Sequence, residues 1–320
     1  MPRSSCSGAS LFAYMNLGAE VRKVDILAVK APAKINLYLG VHTDRDERGY
    51  HRVDSVMAAL DFGDVVTLTP AEGLSVTCEP GIRAHMDDTT TYRAVEALGK
   101  AFGHDPAFAV HIERHIPERS GMGGSSTDAG AALRGACQLW GIDPEDARVV
   151  DIARSIGADV AFFLKPDVSY LAGAGDVLQE QFPTPQLALA VVRPPVMGSC
   201  AQDAYAAFDR DPQALPPLVP YLEALKTGNQ DAIVEKSTNN LAAAAIALEP
   251  ELGRALAWLR SRPHVLNAQV SGSGACLFAI CDSASAAEKV ACDAKENRNW
   301  WAISSKVVDS SQIFCSSTVC

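Results

Sequence analysis

Pro117-Glu118-Arg119-Ser120-Gly121-Met122-Gly123-Gly124-Ser125-Ser126-Thr127-Asp128-Ala129-Gly130-Ala131-Ala132-Leu133 carries the strongest signal in this chain. Residues 121–130 hold four glycines and three hydroxyl side chains, and an alanine-rich helical pattern follows. Glycine lets the backbone approach a ligand closely and take φ > 0. The start of the helix offers unpaired N–H groups and the positive end of a dipole. Together these make an anion site, with phosphate the first candidate. The spacing is not that of a P-loop, which needs Lys-Ser or Lys-Thr after its second glycine, nor the dinucleotide GxGxxG. A plain tight turn ahead of a helix reads the same way, so the loop alone leaves both meanings open.

Around the loop, residues 108–112 read as a short strand, and residues 126–140 as a helix with Ala129, Ala132, Leu133, Ala136 and Leu139 on one side. A second helix over 144–156 ends at Gly157-Ala158-Asp159, and 160–164 is a short apolar segment. Upstream, residues 89–103 carry helical spacing at Tyr92, Val95, Leu98 and Phe102, and 64–69 and 74–78 read as strands. Residues 25–41 read as a strand, a proline-marked break and a second strand, in which Ile35, Leu37 and Leu39 alternate with Asn36 and Tyr38. Residues 42–50 read as a loop. Beyond Phe182-Pro183-Thr184-Pro185 come a strand at 187–192 and helices at 201–209, 216–226, 230–236, 239–248 and 250–261. Strands at 265–270 and 275–280 flank Ser271-Gly272-Ser273-Gly274. Mixed strands with helices grouped on one side predict an α+β fold. The expected division is a variable extension over 1–24, domains over 25–182 and 183–310, and a frayed tail over 311–320.

The chain has 320 residues, enough for two ordinary domains, and is 48% hydrophobic and 21% charged, as a globular protein is. A net charge of −10 argues against nucleic-acid binding. It still permits a phosphorylated ligand, because a glycine loop and one lysine act locally against the global field. Nine cysteines without a C-x-x-C pair give no zinc or redox motif. Their odd number, with no secretory pattern at the start, predicts reduced thiols in a cytoplasm. No apolar run approaches a membrane span.

Phosphoryl transfer needs donors for phosphate, a metal handle and a group that orients or deprotonates the nucleophile. Ser126 and Thr127 offer hydroxyls for phosphate or Mg²⁺; equally, they cap the helix, with Asp128 in its first turn. Asp159, hemmed by Val160-Ala161-Phe162-Phe163, is either a turn aspartate or a carboxylate that needs a partner. Lys34 is either a solvated strand end or, facing Asp159, half of a base-and-orienter unit. Gly49-Tyr50-His51 sets an aromatic face beside an imidazole, suited to a heteroaromatic ring, or is ordinary surface. Ser271-Gly272-Ser273-Gly274-Ala275 reads as a second phosphate cradle or a tight hairpin.

The order Pro32-Ala33-Lys34-Ile35-Asn36-Leu37, glycine–serine loop, Gly157-Ala158-Asp159-Val160, Ser271-Gly272-Ser273-Gly274-Ala275 resembles the GHMP kinase superfamily over roughly residues 25–285. Arg48-Gly49-Tyr50-His51-Arg52-Val53-Asp54-Ser55-Val56-Met57 and Leu60-Asp61-Phe62-Gly63-Asp64 are similar to the signature of its 4-diphosphocytidyl-2-C-methyl-D-erythritol kinases. The resemblance implies a two-domain fold, with a ribosomal protein S5 domain 2-like N-terminal domain and a ferredoxin-like C-terminal domain. It implies ATP as co-substrate with Mg²⁺, and transfer of the γ-phosphate to the 2-hydroxyl of a cytidine diphosphate-linked methylerythritol on the methylerythritol phosphate route to isoprenoid precursors. It gives Lys34 and Asp159 the catalytic roles and Pro117 through Thr127 the ATP phosphates. It sets Asn36, Tyr50, His51, Ser271, Gly272, Ser273 and Gly274 on the substrate side, with Tyr205 as second aromatic of a cytosine sandwich. Partners are small molecules, with no nucleic acid or membrane, in a monomer or homodimer. A homoserine- or mevalonate-type kinase and a non-catalytic nucleotide sensor are the alternatives. The chain departs from the pattern at Ser125 (a third glycine), Thr127 (serine), Arg48 (aspartate) and Thr89 (asparagine), and Ser199-Cys200-Ala201 offers no clear match to the Ser-Thr expected ahead of Tyr205.

Overall fold

A computed structural model describes residues 11–16, 21–80 and 88–314. β1 (Leu11–Asn16) pairs antiparallel with the start of β2 (Val21–Arg45), so part of the expected extension is strand. β3 (His51–Pro70) runs back along β2 from Arg45↔His51 to Leu27↔Leu68. Next come β4 (Ser75–Glu79), α1 (Thr90–Phe102), β5 (Phe108–Glu113), α2 (Gly124–Trp140) and α3 (Ala147–Ile156). A 3₁₀ turn at Ala161–Leu164 leads to β6 (Ser169–Ala172) and β7 (Val177–Gln181). The second half has β8 (Ala188–Arg193), α4 (Ala201–Arg210), α5 (Val219–Thr227), α6 (Gln230–Lys236), β9 (Thr238–Asn239), α7 (Ala242–Leu248) and α8 (Pro250–Arg260). β10 (Val265–Val270), β11 (Leu277–Cys281), α9 (Ala284–Arg298), β12 (Trp301–Val308) and α10 (Ser310–Phe314) complete it. The expected frayed tail thus begins as a helix, and residues 315–320 lie outside the described residues.

The proline-marked break in 25–41 is a bulge within one strand, not a gap between two. Pro32 has no N–H to give the ladder, and the β2–β3 register shifts between Pro32 and Lys34. The bulge frees the Lys34 amide, which donates to the Met122 carbonyl at 3.0 Å. A second shift, between Asn36 and Tyr38, explains why the apparent alternation does not make an exposed face. Ile35, Leu37, Asn36 and Tyr38 are all buried. Bulges recur beside active sites because they re-aim side chains.

β12 is the seam. Its end pairs with β3 (Val307↔Leu60, Val308↔Ala59), and the rest pairs with β8, giving the order β1-β2-β3-β12-β8-β11-β10. α1, α2 and α3 pack on the first half through Val95, Leu98, Leu133 and Val149. α8 and α9 pack on the second through Leu252, Leu259 and Val290. Between them a shared core joins Ile35, Leu37 and Leu60 to Val191, Phe278 and Tyr221. Among the described residues, no helix is long and apolar enough to cross a membrane.

Candidate active site

The two small-residue loops meet beneath the bulge of β2. Ser271 Oγ donates to the Gly121 carbonyl at 3.1 Å; the Ala275 and Cys276 amides donate to Arg119 and Ser120 at 3.0 and 2.9 Å. Gly121 has φ +73°, and a Cβ there would lie 2.1 Å from the Ser271 carbonyl oxygen. Only glycine allows that approach. Asn239, whose role the sequence reading missed, holds the second loop from below by donating to the Val270 and Gly272 carbonyls at 2.9 and 2.8 Å. The signal was the polar run Thr238-Asn239-Asn240 between apolar helices.

Lys34 Nζ lies 3.4 Å from Asp159 Oδ2 and donates to Asn36 Oδ1 at 2.7 Å. Asn36 in turn donates to Ser55 Oγ at 2.9 Å. The lysine side chain is 6% exposed and the aspartate 28%, so the ammonium is fixed while the carboxylate opens outward. A buried ammonium must be paired and hydrogen-bonded, and this one is. The glycine–serine loop abuts it: a Cβ at Gly123 would lie 3.2 Å from Lys34 Cγ.

Gly123, at φ +77°, is the N-cap residue of α2 and makes no side-chain cap. The capping alternative for Ser126 and Thr127 therefore fails, and the amides at the helix start face no side-chain cap. Ser125 lies in the first turn of α2 and is not among the residues with positive φ, so serine fits where a third glycine was expected. Thr90 Oγ1 donates to the Ser125 carbonyl, and Thr89 caps α1 by accepting from the Tyr92 amide. Thr127 is fully buried with Oγ1 unpartnered, which leaves half-buried Ser126 as the accessible hydroxyl of the pair. A cleft of about 250 Å³ lies against the loop, lined by Arg114, Glu118, Arg119 and residues 120, 121 and 123–125. A larger cavity of about 830 Å³, lined by Phe62, Trp301, Lys30 and Lys306, contains neither Lys34 nor Asp159. The smaller cleft is not lined by Lys34 or Asp159 either, but it borders the glycine–serine loop that abuts Lys34.

Behind the loop sits a buried carboxyl pair. Asp64 accepts from the His115 and Ile116 amides and hydrogen-bonds Asp128. Burial, then the neighbouring Asp64 charge, pushes the Asp128 carboxyl well above its ordinary value of 3.8. The native state then binds a proton that the unfolded chain has released, so stability is greatest at low pH and falls as pH rises through that window. Asp128→Asn is expected to flatten the decline in denaturant stability as pH rises from about 4, the unfolded carboxyl's value. A slope equal to the wild type's would contradict the shared proton.

Among the residues expected on the substrate side, His51 is buried, its Nδ1 donating to the His42 carbonyl at 2.7 Å. Its ring stacks on Tyr205 (5.4 Å, 14°) and meets Phe208 edge-on. Nε2 faces Asp209 Oδ1 at 3.0 Å in a contact that lacks hydrogen-bond alignment. Burial, then the Asp159 charge, pushes the Tyr205 hydroxyl up to about 12. Tyr50 is 60% exposed. Gly272 approaches Asn36 and Lys34: a Cβ there would lie 3.3 Å from Asn36 Oδ1 and 3.7 Å from Lys34 Nζ. No described contact joins Ser273 to the other site residues.

Residues 89–166 match the model of the GHMP kinases N terminal domain and residues 221–298 that of the GHMP kinases C terminal. A 4-diphosphocytidyl-2-C-methyl-D-erythritol kinase from Mesorhizobium japonicum is 34% identical over 278 residues, 85% of this chain and 92% of the relative. One from Corynebacterium efficiens is 35% identical, covering 83% and 88%. A crystal structure of 4-(cytidine 5'-diphospho)-2C-methyl-D-erythritol kinase superposes with TM-score 0.72 at 26% identity, over 88% of this chain and 99% of that one. Homoserine kinase from Cytophaga hutchinsonii superposes with TM-score 0.70 at 19% identity, a likeness of fold alone. With the paired glycine loops, the two-domain α+β architecture and relatives matched over most of their length, the chain belongs to the 4-diphosphocytidyl-2-C-methyl-D-erythritol kinase family of the GHMP kinases.

Proposed function

We propose that the protein transfers the γ-phosphate of ATP to the 2-hydroxyl of 4-diphosphocytidyl-2-C-methyl-D-erythritol, a step on the route to isoprenoid precursors. The observation that carries this reading is the contact of Lys34 with Asp159 at 3.4 Å beside the 121–127 loop, from positions 125 residues apart. Asp159 takes the hydroxyl proton as the substrate oxygen bonds to the γ-phosphorus and the bond to the bridging oxygen of ADP breaks. Lys34, held by Asn36, orients that carboxylate and stabilises charge on the transferring group. Amides at the start of α2 receive the phosphates. No group of three or more His, Cys, Asp or Glu that could hold a metal lies among the described residues. The accessible hydroxyl of Ser126 suits an Mg²⁺ carried mainly by ATP oxygens. When bound, that ion neutralises phosphate charge.

Tyr50, His51 and Tyr205 recognise the cytosine by stacking and by one directional polar group. A small aliphatic alcohol needs no such clamp. Turnover is therefore expected with the cytidyl substrate and not with homoserine or mevalonate; the reverse preference would overturn the reading. His51→Ala is expected to raise KM for the cytidyl substrate about tenfold, the loss of roughly one buried directional contact. A change confined to KM for ATP would remove His51 from the substrate side.

A further inference from the structure

Arg48 has a built seat in the structure. The turn at 46–50 is closed by Asp46, whose Oδ1 accepts from the Arg48 and Tyr50 amides at 3.0 Å each. The carboxylate that closes the turn comes from Asp46, whose Oδ2 also accepts from Arg48 Nε at 2.8 Å and pairs with Nη2 at 2.8 Å, so the Arg48 side chain bridges the loop to a second carboxylate. Its Nη1 donates to Asp176 Oδ2 at 3.1 Å, and Nη2 lies 3.5 Å from Asp176 Oδ1. Asp176 is 1% exposed and also receives Arg154, at 3.3 and 3.4 Å, and the Ala174 amide at 3.0 Å. Burial raises the Asp176 carboxyl, but the Arg48 hydrogen bonds, the Ala174 amide and the two guanidinium charges outweigh it and hold the group below the usual range. Asp176 is therefore a fixed anion, and Arg48 is its outer partner.

From that seat the Arg48 guanidinium lies over the Tyr50 ring, 5.4 Å from its centroid. The same 173–176 turn also grips the start of β3: the Val53 amide donates to the Gly173 carbonyl at 2.8 Å, two residues past His51. Tyr50 stands 60% exposed at a loop tip. An exposed aromatic at such a place has rotamer freedom that must be lost when a ligand stacks on it. A planar cation anchored behind it removes part of that freedom beforehand.

We propose that Arg48, seated on the buried Asp176 carboxylate, is a positioning residue that holds Tyr50 as the outer wall of the nucleobase pocket and so sets affinity for the cytidine nucleotide. The proposal rests on the reading of Tyr50 and His51 as nucleobase contacts. Lysine cannot replace the arginine fully, because it lacks both the bidentate fork and the planar face. Aspartate at 48 would face Asp176 and repel it.

The test is steady-state kinetics on the cytidyl substrate, with CDP binding by calorimetry as a readout independent of turnover. Arg48→Ala is expected to raise KM and the CDP dissociation constant about three- to tenfold, with kcat and KM for ATP within about twofold. Arg48→Lys should fall between. In a Tyr50→Ala background, Arg48→Ala should add nothing, because the two act as one unit. Unchanged CDP affinity in Arg48→Ala, or an equal loss with and without Tyr50, would overturn the proposal while leaving the kinase reading intact. A wild-type protein that fails to phosphorylate the cytidyl substrate would sink the reading itself, and the proposal with it. Arg48→Lys, which retains charge and bulk, keeps the question answerable if the alanine variant melts early.

Discussion

Asp159→Ala lowers kcat by about two to four orders of magnitude and leaves ATP affinity within about threefold, if this carboxylate handles the hydroxyl proton. The expectation follows from its surroundings. Asp159 is the outward, 28% exposed member of its pair, so removing it disturbs little packing. In the proposed reading the ATP phosphates are received by backbone amides of the loop, which do not depend on its side chain. Lys34→Ala is expected to cost a similar factor, with an added loss of stability, because it strips Asn36 Oδ1 of its buried donor. Lys34→Met keeps the volume and separates the two effects. Single-turnover rates with ATP titrated by calorimetry would check all three variants. Near-normal rates in Asp159→Ala would take the residue out of the chemistry.

Gly121→Ala is expected to be severely damaging, because it combines a positive φ with backbone contact. Its φ of +73° costs an L-residue about 1–2 kcal/mol. The new Cβ would also press on the Ser271 and Gly274 carbonyl oxygens, from which it would lie 2.1 and 2.9 Å. Backbone cannot yield as a side-chain tip does, so overpacking adds about 1–3 kcal/mol. The two loops would part, with loss of the Ser271 bond to Gly121 and the Ala275 and Cys276 bonds to Arg119 and Ser120. KM for ATP should rise by about tenfold or more. Gly141→Ala is the control: φ there is +67° with nothing within 4 Å of the added Cβ, so only the backbone cost of about 1 kcal/mol remains. Equal denaturation midpoints for the two variants would show that the loops do not bear on each other.

The parts of this site that were legible in sequence are those where composition forces the geometry. Glycine density at 121–124 and 272–274 marked two close backbone approaches, and the approaches prove to be to each other. Helix spacing in α1 was readable because one face is buried and the other is not, whereas α2 is buried on all sides from Thr127 to Cys137 and was marked by its alanine-rich text. What escaped has physical reasons as well. The proline at 32 looked like a strand end, since a bulge and a break share the same missing N–H. Helix α9 buries Ala286, Ala287, Ala291 and Ala294, and a stripe of alanines gives weak periodicity. β12 has a seam role that only tertiary pairing can assign. The Asp64–Asp128 pair joins residues 64 positions apart, and neither acid is unusual in its local text. Arg48 read as a departure because its compensating partner, Asp176, lies 128 residues away.

The most direct test of the central claim is phosphorus NMR of the protein with ATP, Mg²⁺ and 4-diphosphocytidyl-2-C-methyl-D-erythritol. A new phosphomonoester signal on the methylerythritol unit should grow in step with ADP, with the cytidyl diphosphate intact and with both signals lost in Asp159→Ala. ADP appearing with inorganic phosphate alone, or a phosphomonoester formed equally well by Asp159→Ala, would contradict the account.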